Sequence, residues 1–317
     1  MLTRRAIAAL PLGLAVPAAA AGPFQSFVAD VYREAMGVGV RRSVLDAAFA
    51  GVAPNQKVID LDRRQVEFTM TWAQYRARVV SEQKIAQGRA AVAQNRALLT
   101  RIENAFHVSA AVVAGIWGAE SSFGAITGDY RVVEALATLA WEGRRAAFFR
   151  GELMAALKIL NAGDIPPERM LGSYAGAMGQ PQFMPSSYLK LAVDFDGDGR
   201  RDIWTSKADV LASIANYLAR NGWRPGETWG QAVRVPAGFA AQGREVRRTV
   251  EDWGRAGVVP ANGRWAAAQD MPAAVIALDG PGGETFAVFN NFQAIRRYNP
   301  SDFYAAAVGL IGDLVMT

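Results

Sequence analysis

The sequence contains no cysteine and a single histidine, His107, in 317 residues. Without cysteine there is no disulfide, no thiol nucleophile and no thiolate-held zinc or iron–sulfur cluster. One histidine cannot build a multi-histidine metal site. It leaves one candidate base for a Ser-His-Asp triad, and no Gly-x-Ser-x-Gly elbow accompanies it. His107 itself, at the end of a helical stretch before Ser109, reads as a cap or surface residue. Acid–base chemistry therefore falls to carboxylates. Neither charge sign is scarce, with 34 Lys+Arg against 29 Asp+Glu, and 51% of the residues are hydrophobic. That balance excludes disorder and coiled coil and suggests about two domains. No apolar run beyond the N-terminus is long enough to cross a membrane.

Met1 to Ala21 reads as an export signal. Arg4 and Arg5 precede an apolar run, Ala6 to Val16, and Pro17 leads into four alanines before Gly22. The run is shorter than the span of about 20 residues a bilayer requires; an uncleaved N-terminal anchor is the alternative. The paired arginines weakly suggest twin-arginine export. Export predicts a periplasmic protein, and without cysteine it is not a lipoprotein. Loss of the two arginines lowers the formal net charge from +5 to +3. Such a surplus suits acidic polymers such as cell wall or nucleic acid without selecting either, and ordinary solubility explains it equally well.

From Pro23 to about His107 the pattern is helical. Phe24, Phe27, Val28 and Val31 recur at helical spacing, as do Val79, Val80 and Ile85 on a longer segment running to Ile102. Helical pattern continues to Trp223, interrupted by glycine-rich loops at 124–128, 172–179 and 197–199. Between Pro225 and Gly283 proline and glycine become frequent. Short β-prone runs, Ala273–Leu278 and Thr285–Phe289, flank a turn-like Asp279–Gly283 segment. A last amphipathic helix is predicted from the N-cap Ser301 to about Val315. The fold class is α+β, mainly α, and the lack of alternating strand–helix units argues against a doubly wound sheet.

The segment Ser109–Gly124 carries the strongest chemical signal. On a helix from Ser109, Val113, Ile116 and Glu120 share one face, with Trp117 beside them. Burial and the negative helix end would both hold the Glu120 carboxyl protonated more readily than usual. General-acid cleavage of a glycosidic bond needs such a group. A structural carboxylate bonded to nearby backbone is the alternative reading from position alone.

Gly115-Ile-Trp-Gly-Ala-Glu-Ser-Ser-Phe-Gly124 resembles the active-site segment of the lytic murein transglycosylase B family of bacterial cell-wall enzymes. The resemblance continues through Val133–Ala140, Gly172–Tyr188, Asp194–Trp204, Ala215–Leu218 and Arg297–Tyr304. It implies a lysozyme-like helical catalytic core at 109–223, with an N-terminal helical domain at 22–108. A small β-rich region at 224–300 and a C-terminal helix at 301–317 would follow. It also implies cleavage of the β-1,4 bond between N-acetylmuramic acid and N-acetylglucosamine, with Glu120 as the single acid and base. The muramoyl C6 hydroxyl would close onto C1, giving a 1,6-anhydro product. A muramidase hydrolysing the same bond, or a non-catalytic peptidoglycan-binding protein, are the alternatives. Asp129 and Glu134 are the nearest candidates for a second carboxylate, otherwise a helix start and a helix surface residue.

By the same resemblance Ser173, Gln182, Tyr217, Tyr298 and Tyr304 belong to the substrate cleft. Half-buried packing is the other reading for each tyrosine, and Met178 and Phe183 suit either core or cleft. The implied partners are peptidoglycan glycan strands, with no nucleic acid, no transmembrane segment after signal removal, and cell-wall synthesis or remodelling proteins as further candidates. No organic cofactor is expected. Asp194, Asp196 and Asp198, followed by Gly199, match the first half of an EF-hand calcium loop. Thr205 stands where the closing glutamate is usual. In the family the loop is longer, so Asp209 would close it and Arg200 contribute its backbone carbonyl to a structural Ca2+; an ion-free acidic turn is the alternative.

Overall fold

The structure, a computed structural model, describes residues 23–64 and 70–317; the segment read as an export signal lies outside them. Three helices lead: α1 (Phe24–Gly37), α2 (Arg42–Ala48) and α3 (Gln56–Arg63). The long helical segment expected to run to Ile102 is three helices: α4 (Trp72–Val79), α5 (Glu82–Gln94) and α6 (Arg96–Phe106). Polar residues that compete for backbone bonds cut it. Ser81 caps α5 by accepting from the Lys84 amide at 3.3 Å, and Asn95 turns back to donate to the Ala91 carbonyl at 2.8 Å. His107 closes α6 in a left-handed conformation, φ 54°.

Next come α7 (Ala110–Ser121), β1 (Tyr130–Arg131), α8 (Val132–Glu142), α9 (Ala146–Ala162), β2 (Leu171–Gly172), α10 (Pro185–Leu191) and α11 (Lys207–Arg220). The C-terminal third holds β3 (Gly230–Arg234), β4 (Arg247–Thr249), α12 (Val250–Arg255), β5 (Val259–Pro260), β6 (Pro272–Ala277) and β7 (Thr285–Val288). Two helices, α13 (Asn290–Tyr298) and α14 (Asp302–Met316), end it. Ser301 caps α14 by accepting from the Tyr304 amide at 3.3 Å, as its side chain predicts. Strands β3 to β7 form one antiparallel sheet in the order β4-β6-β7-β3-β5, and β1 pairs with β2 in a separate ribbon.

Cores do not follow chain order. Helices α1 to α3 bury Val31, Leu45 and Val58 with Leu136 of α8 and Leu153 of α9. Asp62 fastens this unit by accepting from the guanidinium groups of Arg144 and Arg145. Residues from α5, α6, α11, α13 and α14 share a second core with α7. The sheet closes that core with Ala274, Ile276, Phe286 and Val288, while Ala273, Val275 and Ala287 face a third cluster around Trp253. The alternation follows from the two-residue period of a strand.

Helix α7 is buried on nearly every side, and its approach to α14 is set by small residues. A Cβ on Gly115 would collide with the Val308 carbonyl oxygen, and one on Gly312 with that of Ala111. The pair is antiparallel: 115 lies against 308 and 111 against 312. Extending that register brings residue 304, in the first turn of α14, to residue 120, in the last turn of α7.

Candidate active site

The Tyr304 hydroxyl donates to Glu120 Oε1 at 2.5 Å, a short charge-assisted bond. Glu120 is half-buried, whereas Tyr304 is only 5% exposed. Beyond Glu120 the chain turns sharply, with Ser122, Phe123 and Gly124 all at positive φ. Such strain in a non-glycine residue persists only where the surroundings enforce it. Here the Phe123 ring fills space left by Gly88 and Gly118, where a Cβ would strike it, and it packs edge-on against Trp117. The Ser121 hydroxyl donates to the Trp117 carbonyl and accepts from the Gly124 amide, closing the turn.

Tyrosines extend from the acid. The Tyr298 ring stacks beside Tyr304, centroids 6.5 Å apart at 14°, and Tyr217 lies 4.5 Å from Tyr298. Phe183, buried, sits 5.8 Å from both. The hydroxyls of Tyr217 and Tyr298 donate to the carbonyls of Arg297 (2.5 Å) and Pro181 (2.6 Å). Those two residues present ring surface while their hydroxyls fasten the wall. Burial, with the Glu120 charge second, pushes the Tyr298 and Tyr304 phenols well above their ordinary range, so both remain neutral. Met178 is fully buried and belongs to the core.

Ser173 and Gln182 sit on the β1–β2 ribbon and its continuation, where Gly172 bridges Met178 and Met178 bridges Phe183. Ser173 Oγ accepts from the amides of Ala175 (3.3 Å) and Ala177 (3.0 Å), which leaves its hydroxyl hydrogen to donate. Gln182, in a left-handed conformation (φ 52°), donates from Nε2 to the carbonyls of Thr127 (3.0 Å) and Gly179 (2.8 Å). With both amide hydrogens committed, it offers Oε1 as an acceptor. Thr127 follows the α7 turn, so Gln182 reaches the loop behind Glu120, and Pro181 holds Tyr298. Glu120, Gln182, Tyr217, Tyr298 and Tyr304 are thus brought together.

Asp129 is exposed just before β1 and caps no helix, because Arg131 occupies the position before α8; Glu134 accepts from Asn55 Nδ2 at 2.7 Å. Sequence reasoning missed three neighbours. Tyr75 on α4 packs 5.9 Å from Phe303 and adds to the upward push on Tyr304. Burial pushes the Lys84 ammonium down and Glu120 opposes that push, so Lys84 lies within electrostatic reach of the acid. Gln180 is 3% exposed and bonds to Trp117, one turn before Glu120. A helix register three or four residues apart for Trp72, Tyr75 and Val79 was the available signal for the first. The other two needed tertiary distances.

The acidic loop gathers a separate set of carboxylates. One carboxylate oxygen from each of Asp194, Asp196 and Asp209 lies within 4.8 Å of the others. Asp209 is 0% exposed and accepts from the amides of Phe195 (2.7 Å) and Asp202 (2.8 Å). Asp194 accepts from the Gly197 and Gly199 amides. Asp198 is outside the cluster and accepts from the Arg200 amide at 2.8 Å. Asp202 caps the loop's far end through Trp204 and Thr205. Among the described residues no ion pair neutralises Asp194, Asp196 or Asp209. Burial, with the charge of Asp196 also contributing, pushes the Asp209 carboxyl up. Three unneutralised carboxylates within 4.8 Å fit a hard divalent cation, whose oxygen ligands stand about 2.3–2.6 Å from it.

A buried central helix ending in a carboxylate, ringed by helices and flanked by a short antiparallel ribbon, defines a lysozyme-like fold. Residues 23–313 match the family model described as Transglycosylase SLT domain. The chain is 34% identical over 251 residues to the membrane-bound lytic murein transglycosylase B of Escherichia coli (strain K12), covering 77% of this chain and 67% of that protein. SltB3 from Pseudomonas aeruginosa, crystallised with NAG-anhNAM-pentapeptide, superposes with a TM-score of 0.88 at 42% identity, over 92% of this chain and 78% of that one. Escherichia coli SLT35, crystallised with calcium, gives a TM-score of 0.78 at 30% identity, over 92% of each chain. The chain belongs to the transglycosylase SLT domain family and is an enzyme of the lytic transglycosylase class.

Proposed function

We propose that the chain cleaves the β-1,4 bond between N-acetylmuramic acid and N-acetylglucosamine in peptidoglycan strands, with Glu120 as sole acid and base. The observation that carries this is the 2.5 Å bond from Tyr304 to Glu120 Oε1. With Oε1 accepting from tyrosine, the transferable proton belongs on Oε2. Glu120 gives it to the bridging oxygen, and the bond from that oxygen to muramoyl C1 breaks with oxocarbenium character at C1. The C6 hydroxyl of the same sugar then bonds to C1, and its proton returns to Glu120. No water is consumed, and the intramolecular nucleophile supplies the proximity that a second carboxylate arranges elsewhere. Asp129 and Glu134 stay outside the reaction.

Ser173 as donor and Gln182 as acceptor complement an acetamido group, which offers one carbonyl and one N–H. Tyr217 and Tyr298 offer faces to sugar rings. That SltB3 was crystallised with NAG-anhNAM-pentapeptide and with NAG-NAM-pentapeptide supports the same substrate class here. Asp194, Asp196 and Asp209 would hold a structural Ca2+, with Asp198 and the Arg200 carbonyl completing the loop's ligands; an ion there would neutralise the cluster and fix the loop before α11. Export through residues 1–21 would place the enzyme in the periplasm. No helix among the described residues is long and apolar enough to cross a membrane.

The test is product mass. Digested cell wall should release fragments one water lighter than reducing-end products, and Glu120→Gln should keep its fold while losing at least about 10²-fold in rate. Near-normal turnover in that variant removes Glu120 from the chemistry.

A further inference from the structure

We propose that Gln180 is a positioning residue for this reaction, holding the end of α7, and with it Glu120, through the indole of Trp117; the inference rests on the proposed glycan cleavage. Gln180 Oε1 accepts from Trp117 Nε1 and from Lys207 Nζ, each at 2.8 Å. Its Nε2 donates to the Trp204 carbonyl at 2.8 Å, and its backbone amide to the Ile203 carbonyl at 2.9 Å. The Lys207 ammonium also lies 5.0 Å from the Trp117 ring centroid. One buried amide thus joins three pieces: the last turns of α7, the far end of the acidic loop, and the start of α11.

The next two residues continue the same work. Pro181 accepts from Tyr298, and Gln182 reaches Thr127 behind the acid. The fit around Gln180 is tight, since a Cβ on Gly124 would collide with its Oε1. Trp117 precedes Glu120 by one helical turn on the same face. A tilt at Trp117 therefore moves the carboxyl relative to Tyr304 and the glycan. The amide accepts from two donors through its oxygen and donates to a carbonyl through its nitrogen. An apolar side chain would leave the buried indole N–H, the ammonium and the Trp204 carbonyl without their partner.

The experiment compares Gln180→Met, which removes the acceptor and the donor at similar length, with Gln180→Glu, which keeps oxygen acceptors for Trp117 and Lys207 and gives up only the bond to the Trp204 carbonyl. Both are assayed for kcat and KM on soluble peptidoglycan chains, beside wild type. Anhydro product from wild type tests the proposed function by itself. In Gln180→Met kcat should fall about 10- to 100-fold, the scale expected for a small misplacement of a reacting group, with KM within about twofold. Gln180→Glu should recover kcat to within about threefold of wild type. In parallel, the Trp117 indole N–H followed by NMR should exchange slowly in wild type and Gln180→Glu and quickly in Gln180→Met. That readout needs no turnover. A folded Gln180→Met with wild-type kcat, a Gln180→Glu as slow as the methionine variant, or a fast-exchanging wild-type indole overturns the proposal. Should the methionine variant not fold, the kcat of Gln180→Glu and the wild-type exchange rate decide it alone.

Discussion

Tyr304→Phe removes one oxygen and tests the site at its centre. The hydroxyl donates to Glu120 Oε1 at 2.5 Å from a residue that is 5% exposed, so water does not readily replace it. Hydrogen bonds to charged groups contribute about 1.5–3 kcal/mol. A donor to a carboxylate favours the ionised form, so its loss raises the carboxyl pKa. On the proposed mechanism cleavage needs protonated Glu120, hence the alkaline limb of kcat/KM should move to higher pH. On the plateau kcat should fall about tenfold or more, because the carboxyl loses the contact that orients it. Tyrosine ionisation does not confuse the reading, since burial keeps the Tyr304 phenol neutral well past its ordinary range. The assay is anhydro-product release from peptidoglycan fragments across the pH range, with circular dichroism to confirm folding. An unmoved limb together with an unchanged plateau would refute the assigned contact between Tyr304 and the acid.

Chelation should lower the melting temperature, and calcium at 100 times its Kd should restore about 2.7 kcal/mol of stability; identical melts with and without calcium would reject the ion site. Gly115→Ala forces a Cβ onto the Val308 carbonyl and should cost about 1–3 kcal/mol by overpacking. The same change slides α14 on α7, so differential scanning calorimetry should show the loss and turnover should fall with it; a wild-type melt would show that the helices are not locked there. Burial raises the phenols of Tyr217, Tyr298 and Tyr304 in the folded state. Their contribution is complete below the unfolded tyrosine pKa of about 10 and is lost as pH climbs through the folded values. Near-ultraviolet titration should therefore show these phenolates appearing with unfolding, and early ionisation of all eight tyrosines in folded protein would contradict the buried wall.

What the residues announced in advance was local. Glu120 on an apolar helical face, Ser301 as a cap and the β-prone runs after Pro225 depend on near neighbours, and each lies in the element its pattern predicted. The three-way division of the 72–106 helical stretch was hidden because Ser81 and Asn95 act through single side-chain bonds that no periodicity reports. Chain order was also a poor guide to shared cores. Helices α1 to α3 bury their apolar faces on α8 and α9, while α5 and α6 bury theirs on the core around α7. Resemblance supplied the tyrosines as cleft residues, yet not that two of their hydroxyls are spent on backbone carbonyls. That assignment depends on residues far apart in sequence, 217 with 297 and 298 with 181. The acid and its tyrosine are 184 positions apart, and no periodicity in either helix announces their meeting. Gly115 against Val308 and Gly312 against Ala111 encode it instead. The small residues in these two helices fix a register, and that register delivers a hydroxyl to the carboxylate.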